Sequence, residues 1–185
     1  KLLDAGSWFS PEFEGEQIPT LEEALQVMAG RTKLFLELKT YSRSLELNSV
    51  ALVEAYQMIN DTVFLSFSRE QIRRLKQINP EVQTLLLIST FYGDAEALAR
   101  ARDIDAYGLS EFFFLRNPDF VDLAHQQNKK IYVWTVNSDN AIRNVADRDA
   151  DGIITDRPLA AREIVYARNT PDILLEILRR LFRPT

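Results

Sequence analysis

Short, strongly apolar runs alternate along this chain with longer stretches whose apolar residues recur every three or four positions. The runs fall at Lys33–Leu38, Thr62–Phe67, Gln83–Ile88, Ala106–Ser110, Ile131–Val136 and Gly152–Thr155, and they predict β-strands. Between them, amphipathic spacing predicts helices over Ser44–Ile59, Ser68–Ile78, Asp94–Asp103, Asn117–Gln127 and Asp139–Asp147, with two more at Pro19–Met28 and Pro158–Arg168. Helix-entry residues stand where these stretches begin. Ser68 precedes Arg69-Glu70-Gln71, Asn117 precedes Pro118, and Ser138 precedes Asp139; Thr20 is followed three residues on by Glu23. A regular β-then-α alternation implies a parallel sheet with right-handed crossovers.

Two architectures fit such an alternation. A doubly wound sheet would usually carry a Gly-rich phosphate loop after its first strand, and none is present. The succession of strand, short loop and single helix fits a (β/α)8 barrel better. A closed barrel needs eight strands and about 250 residues, whereas this chain has 185 residues and six strand-like runs. The expected fold is therefore α/β, an incomplete TIM-type (β/α)8 barrel of about six parallel strands with flanking helices. It should occupy residues 1–168, with residues 169–185 forming a separate amphipathic helix. In that tail Ile173, Leu174, Ile177, Leu178 and Leu181 have helical spacing, and Arg179, Arg180 and Arg183 follow the same stretch. It packs on its own domain or serves a membrane surface or partner. The aromatic, turn-rich segment Leu2–Gln17 reads as a loop wrapping over a helix face.

One carboxylate breaks the pattern. Glu37 sits inside Leu34-Phe35-Leu36-Glu37-Leu38, and alternation puts it on one face with Phe35 and Lys39. A strand so apolar is expected to be covered on both sides, where a charge costs several kcal/mol unless it is paired, protonated or metal-bound. Glu37 is thus either half of a buried structural ion pair or part of a site at the carboxyl end of a parallel strand.

Composition narrows the chemistry. The net charge of −5 argues against general nucleic-acid binding, which needs basic stripes. No apolar run approaches the roughly 18 residues of a membrane span, and no signal-peptide pattern is visible. With no cysteine, disulfides, thiolate catalysis and zinc–thiolate sites are excluded; cysteine usage leaves the compartment open. His125 is the single histidine, which excludes any mechanism using two histidines of this chain. It lies within a predicted helix, away from a strand's carboxyl end, and reads as a surface or helix-packing residue.

Five stretches, in order, resemble the glycerophosphodiester phosphodiesterase family: LDAGSWFSPEFEGEQIPTLEEAL, LFLELK, VFLSFS, the VWTVN of Val133–Asn137, and the DGIITDRP of Asp151–Pro158. The resemblance implies a (β/α)8 barrel that hydrolyses glycerophosphodiesters to glycerol 3-phosphate and an alcohol with a divalent metal, Mg²⁺ or Ca²⁺. It makes Glu37 a metal ligand and places Lys39 close to the substrate phosphate. Trp134 is similar to the family's aromatic near the glycerol, and the reading of Trp134 as a packed core aromatic stays open beside it. Phe67 and Asn137 are secondary candidates for the mouth. Asp151 and Asp156 flank the last strand, and Asp156 is expected to cap the helix that follows.

These residue types suit the reaction. A phosphodiester's negative charge repels nucleophiles, so a hard cation on carboxylate oxygens neutralises it. A lysine adds a point charge at a phosphate oxygen, and proton transfers at the attacking and leaving oxygens need a general acid and base. In the family both catalytic histidines and two further metal carboxylates lie on the first two βα units, in HRG-type, ExD and HD-type motifs. None occurs here, and the start at Lys1 has neither an initiator Met nor the look of a natural terminus. The expectation is a hydrolase as the whole protein, and a 185-residue chain that alone is inactive and binds metal weakly or not at all. The alternative is a non-enzymatic barrel remnant that binds a partner or a phosphate compound. Uncovered barrel edges would favour self-association. The ending LLEILRRLF is similar to those of members with an amino-terminal membrane domain, which would attach the whole protein to a membrane.

Overall fold

Every strand-like run in the sequence becomes a parallel strand, and six are present among the described residues. The computed structural model describes residues 3–40, 42–90 and 93–167. It divides near Thr84–Leu85 into two compact units. The predicted boundary at 168/169 and the tail helix lie outside the described residues.

The first unit runs α1 (Leu21–Met28), β1 (Leu34–Glu37), α2 (Arg43–Ala55), β2 (Thr62–Ser66) and α3 (Arg69–Ile78). Thr20 and Glu23 form the expected capping box: Glu23 N donates to Thr20 Oγ1 at 3.2 Å, and Thr20 N to Glu23 Oε2 at 2.8 Å. Ser68 caps α3 by accepting from Gln71 N at 3.3 Å. β1 pairs in parallel with β2 from Leu34↔Thr62 to Glu37↔Leu65. β2 is buried along almost its whole length, as an apolar strand between helices should be. β1 departs from the expectation of cover on both sides: Phe35 is 39% exposed and the other three residues are half-buried. It is an edge strand of this unit, and within the unit neighbours reach it from one side.

The buried stripe of α2 is Glu46, Ser49, Val50 and Val53, and that of α3 is Gln71, Ile72 and Leu75. Glu46 of the first stripe and Gln71 of the second satisfy each other. Gln71 Nε2 donates to Glu46 Oε1 at 3.0 Å, and Arg74 closes on the same carboxylate with Nε to Oε2 at 2.8 Å and Nη2 to Oε1 at 2.6 Å. The guanidinium holds Glu46 below the usual carboxylate range, helped by Gln71 and opposed by burial.

The segment before α1 closes on itself. Asp4 accepts from the backbone of Gly6 at 2.8 Å, Ser7 at 2.9 Å and Gly15 at 3.0 Å, and from the Ser7 hydroxyl. These bonds hold its carboxyl far below the ordinary value. Trp8 Nε1 donates to Ala5 O at 2.7 Å while the ring stays 82% exposed. Only glycine fits at position 6, because a Cβ there would lie 1.9 Å from the Phe13 carbonyl oxygen.

The second unit runs β3 (Gln83–Ile88, whose first two residues belong to the first unit), α4 (Ala95–Ala99), β4 (Ala106–Ser110), α5 (Glu111–Arg116), α6 (Pro118–Gln126), β5 (Lys130–Trp134), α7 (Asp139–Ala146) and β6 (Gly152–Ile153). Residues 158–167 are helical. The strands are parallel in the order β3-β4-β5-β6. β5 and β6 stop short of their predicted ends, yet Val136 N→Ile154 O (3.0 Å) and Ile154 N→Val133 O (2.8 Å) carry their pairing onward. α4 is shorter than predicted. It starts where Asp94 accepts from Ala97 N at 3.0 Å and ends at Ala99, well before Asp103.

α5 is not predicted by the sequence pattern. Ser110 ends β4 and also caps α5, accepting from Phe113 N at 3.2 Å, so no turn residues separate strand from helix. Asn117 does not cap α6 with its side chain; it donates instead to Phe113 O at 2.8 Å and closes α5.

The two faces of this sheet differ. On one, Tyr107 is buried against Phe120 of α6, ring centroids 5.1 Å apart, and its hydroxyl donates to Leu98 O of α4. Ile131, level with Tyr107 in the β4–β5 register, and Val133 are buried on this helix-covered face. On the other face Tyr132 and Trp134 of β5 lie beside glycines of the neighbouring strands. A Cβ at Gly108 would stand 3.4 Å from Trp134 Cδ1 and 2.7 Å from Leu85 and Leu87 methyls, and one at Gly152 would stand 2.6 Å from the Tyr132 ring.

Candidate active site

Glu37 is the last residue of β1, and its backbone ladder is carried one residue further by Leu38 N→Leu65 O at 2.9 Å. The alternation of the strand brings Lys39 back to its side, and Lys39 Nζ donates to Glu37 Oε1 at 2.7 Å. The Glu37 side chain is 28% exposed and that of Lys39 is 74% exposed. Water therefore reaches the carboxylate, and the cost of a fully buried charge does not arise. The structure brings together the two candidates that the alternation placed on one face.

Behind them the chain enters the loop to α2. Thr40 O accepts from Gln71 Nε2 at 2.9 Å, which ties this loop to α3. Phe67 follows the end of β2 and is largely exposed.

In the second unit Trp134 ends β5, half-buried, with its Nε1 donating to Gly108 O of β4 at 2.7 Å. That bond and the missing side chain at Gly108 fix the plane of the indole. Beyond it, Asn137 organises the carboxyl ends of β5 and β6. Its Nδ2 donates to Asp156 Oδ2 at 2.7 Å, and its Oδ1 accepts from Asp156 N at 2.9 Å and Thr155 Oγ1 at 3.0 Å. Arg157 Nη1 spans the same two loops, reaching Asn137 O at 2.8 Å and Asp139 Oδ1 at 2.9 Å. The carboxylate of Asp156 is thus engaged by Asn137, a partner its place before a helix start did not reveal.

His125 lies at the opposite end of the strands. Its Nε2 is 2.9 Å from Asp151 Oδ2, which also accepts from Ile131 N at 2.7 Å, near the start of β5. Three residues of strand, about 10 Å, separate Ile131 from Trp134. His125 and Asp151 fasten α6 to the amino ends of β5 and β6, and the helix-packing reading of His125 agrees with this geometry. Burial, and then the Asp151 charge, push the Tyr132 hydroxyl up.

Among the described residues no three His, Cys, Asp or Glu side chains gather closely enough to hold a metal ion. Glu37 offers two oxygens, one already on Lys39. Divalent cations of this class take six or more oxygen ligands, so the residues described do not fit a complete metal site. No helix among them is long and apolar enough to cross a membrane.

The chain is similar to known proteins over most of its length. The profile of the Glycerophosphoryl diester phosphodiesterase family matches residues 1–160. A glycerophosphodiester phosphodiesterase from Caldanaerobacter subterraneus is 29% identical over 162 residues, covering 85% of this chain and 66% of its own. The crystal structure of glycerophosphodiester phosphodiesterase from Agrobacterium tumefaciens superposes with a TM-score of 0.71 at 26% identity, covering 85% of this chain and 67% of that one. An Oleispira antarctica phosphodiesterase, solved with the product sn-glycerol-3-phosphate, gives a TM-score of 0.75 at 24% identity over 89% of this chain and 68% of that one. The chain thus spans about two thirds of the length of these relatives. Its strands and flanking helices are those of an incomplete TIM-type (β/α)8 barrel. The chain belongs to the glycerophosphoryl diester phosphodiesterase family.

Proposed function

We propose that the protein carrying this chain hydrolyses glycerophosphodiesters to glycerol 3-phosphate and an alcohol. The observation that carries this reading is the Glu37–Lys39 pair at the carboxyl end of a parallel strand, inside a family match that covers residues 1–160. Glu37 is one ligand of a divalent cation, Mg²⁺ or Ca²⁺. Lys39, long and exposed beside it, supplies a positive charge to a phosphate oxygen. Trp134, its indole held flat by Gly108 O, offers an apolar wall to the glycerol carbons. The lone carboxylate beside Lys39 supports a metal site completed by residues outside this chain, so the 185-residue chain by itself turns over no substrate.

The test is release of glycerol 3-phosphate from a glycerophosphodiester by the full-length protein with Mg²⁺ or Ca²⁺. Glu37→Gln should lower the rate about 100-fold or more, because electrostatic stabilisation of that order is lost with such a group. Lys39→Ala should act chiefly on KM. Equal activity of the wild type and Glu37→Gln, or full activity of the isolated chain, refutes the assignment. A second reading, a non-enzymatic module, is favoured by the absence of a metal-holding cluster among the described residues. A full-length protein without hydrolysis that still binds a glycerophosphodiester would establish it.

A further inference from the structure

We propose that Gln71 is a positioning residue for the site, resting on the assignment of Glu37 and Lys39 above. Gln71 is fully buried on α3, where a polar side chain persists only if its hydrogen bonds are made. Its carboxamide uses both kinds of group. Oε1 accepts from Ser66 Oγ at 2.7 Å, and Nε2 donates to Thr40 O at 2.9 Å and to Glu46 Oε1 at 3.0 Å. The orientation is determined, because a backbone carbonyl and a carboxylate both require the NH₂ group. Ser66 in turn accepts from Ser68 N at 2.9 Å, so its hydroxyl hydrogen is free for Gln71.

The chain of bonds therefore runs from the end of β2, through Gln71, to the residue after Lys39. Its other branch ends on Glu46, clamped by Nε and Nη2 of Arg74. Glu46 fixes the amide, and the amide fixes Thr40. The direction in which the loop leaves Glu37 and Lys39 is set from beneath by groups that themselves never meet substrate. Displacing a reacting group by about 1 Å costs up to about 100-fold in rate, which makes such a tether worth keeping despite the difficulty of burying it.

The test uses the full-length protein and Gln71→Met, which keeps the length of the side chain and removes its donors and acceptor. Two readouts are taken. Hydrogen exchange of the backbone amides of Lys39, Thr40 and Ser42 should accelerate about tenfold or more, and kcat/KM should fall about tenfold or more. Leu75→Ala, on the same helix and matched in lowered thermal midpoint, should leave both within threefold. Ser66→Ala removes one donor to Gln71 and should move both in the same direction by less; it decides the matter if Gln71→Met does not fold. Exchange at Lys39, Thr40 and Ser42 unchanged in a folded variant, or equally fast in Leu75→Ala, overturns the proposal. If the wild-type protein proves to have no hydrolase activity, the proposed function fails, and the exchange measurement alone still decides whether Gln71 holds the loop.

Discussion

Glu46 and Arg74 permit a quantitative prediction. The Glu46 side chain is fully buried, whereas that of Arg74 is 25% exposed. Arg74→Met removes both charged donors and leaves the carboxylate with the neutral Gln71 amide. Breaking a buried pair from one side costs about 3–5 kcal/mol. Here the partial exposure of Arg74 admits water to the vacated space, so the expected loss is about 2–4 kcal/mol. Glu46→Gln should cost less, about 1–2 kcal/mol, because Arg74 can still reach solvent and Glu70, whose Oε1 lies 3.7 Å away. The double change Glu46→Leu with Arg74→Met removes both charges. It should recover much of the single loss, with a coupling of about 1.5–3 kcal/mol. Urea unfolding followed by circular dichroism measures all three, with the slope checked for constancy. An Arg74→Met loss below about 0.5 kcal/mol, or a double variant less stable than either single one, would refute the view that a desolvated carboxylate depends on this guanidinium.

The same carboxylate predicts acid sensitivity. Its pKa is lower folded than unfolded, so its contribution is complete above the unfolded value, about 4.5, and fades as pH falls through the folded value. Stability against pH below 4.5 should therefore be flatter in Glu46→Gln; identical curves would contradict it. Thr62 Oγ1 is buried with no hydrogen-bond partner among the described residues. Thr62→Val keeps the shape and removes the stranded hydroxyl, and should raise stability by about 1 kcal/mol on urea unfolding; a loss of that size would argue against it. Gly108→Ala pushes a methyl against Leu85 and Leu87, 2.7 Å away, while it meets Trp134 at ordinary contact distance. It should cost about 1–3 kcal/mol on urea unfolding, and unchanged stability would show that the two leucines are not packed as described.

How much of this was readable from sequence differs between elements. β3 and β4 coincide with their predicted runs, because strands covered on both faces are apolar at nearly every position. α5 was invisible because one residue, Ser110, serves as both strand end and helix cap. The meeting of Glu37 and Lys39 was legible, since two-residue periodicity alone puts them on one face. The degree of burial was not, because it depends on what flanks β1 across the sheet. The Gln71 network leaves a trace in the sequence. Positions 46, 49, 50 and 53 form a helical stripe, and a glutamate on it is either an error of phase or a buried charge. Its partners, Gln71 and Arg74, lie 25 and 28 residues away, a distance that only the folded chain closes.

The paired glycines beneath the β5 aromatics carry a consequence for how this family member can drift. Position 108 shares one fixed volume with the methyls of Leu85 and Leu87, as position 152 does with the ring of Tyr132. A larger residue at 108 becomes admissible only after Leu85 and Leu87 have been exchanged for something smaller, and one at 152 only after Tyr132 has. The order of substitutions then matters more than their identity. Either glycine examined alone would look immutable, while with its crowding neighbours it forms a unit of exchange through which this face of the sheet could be recontoured without moving a strand.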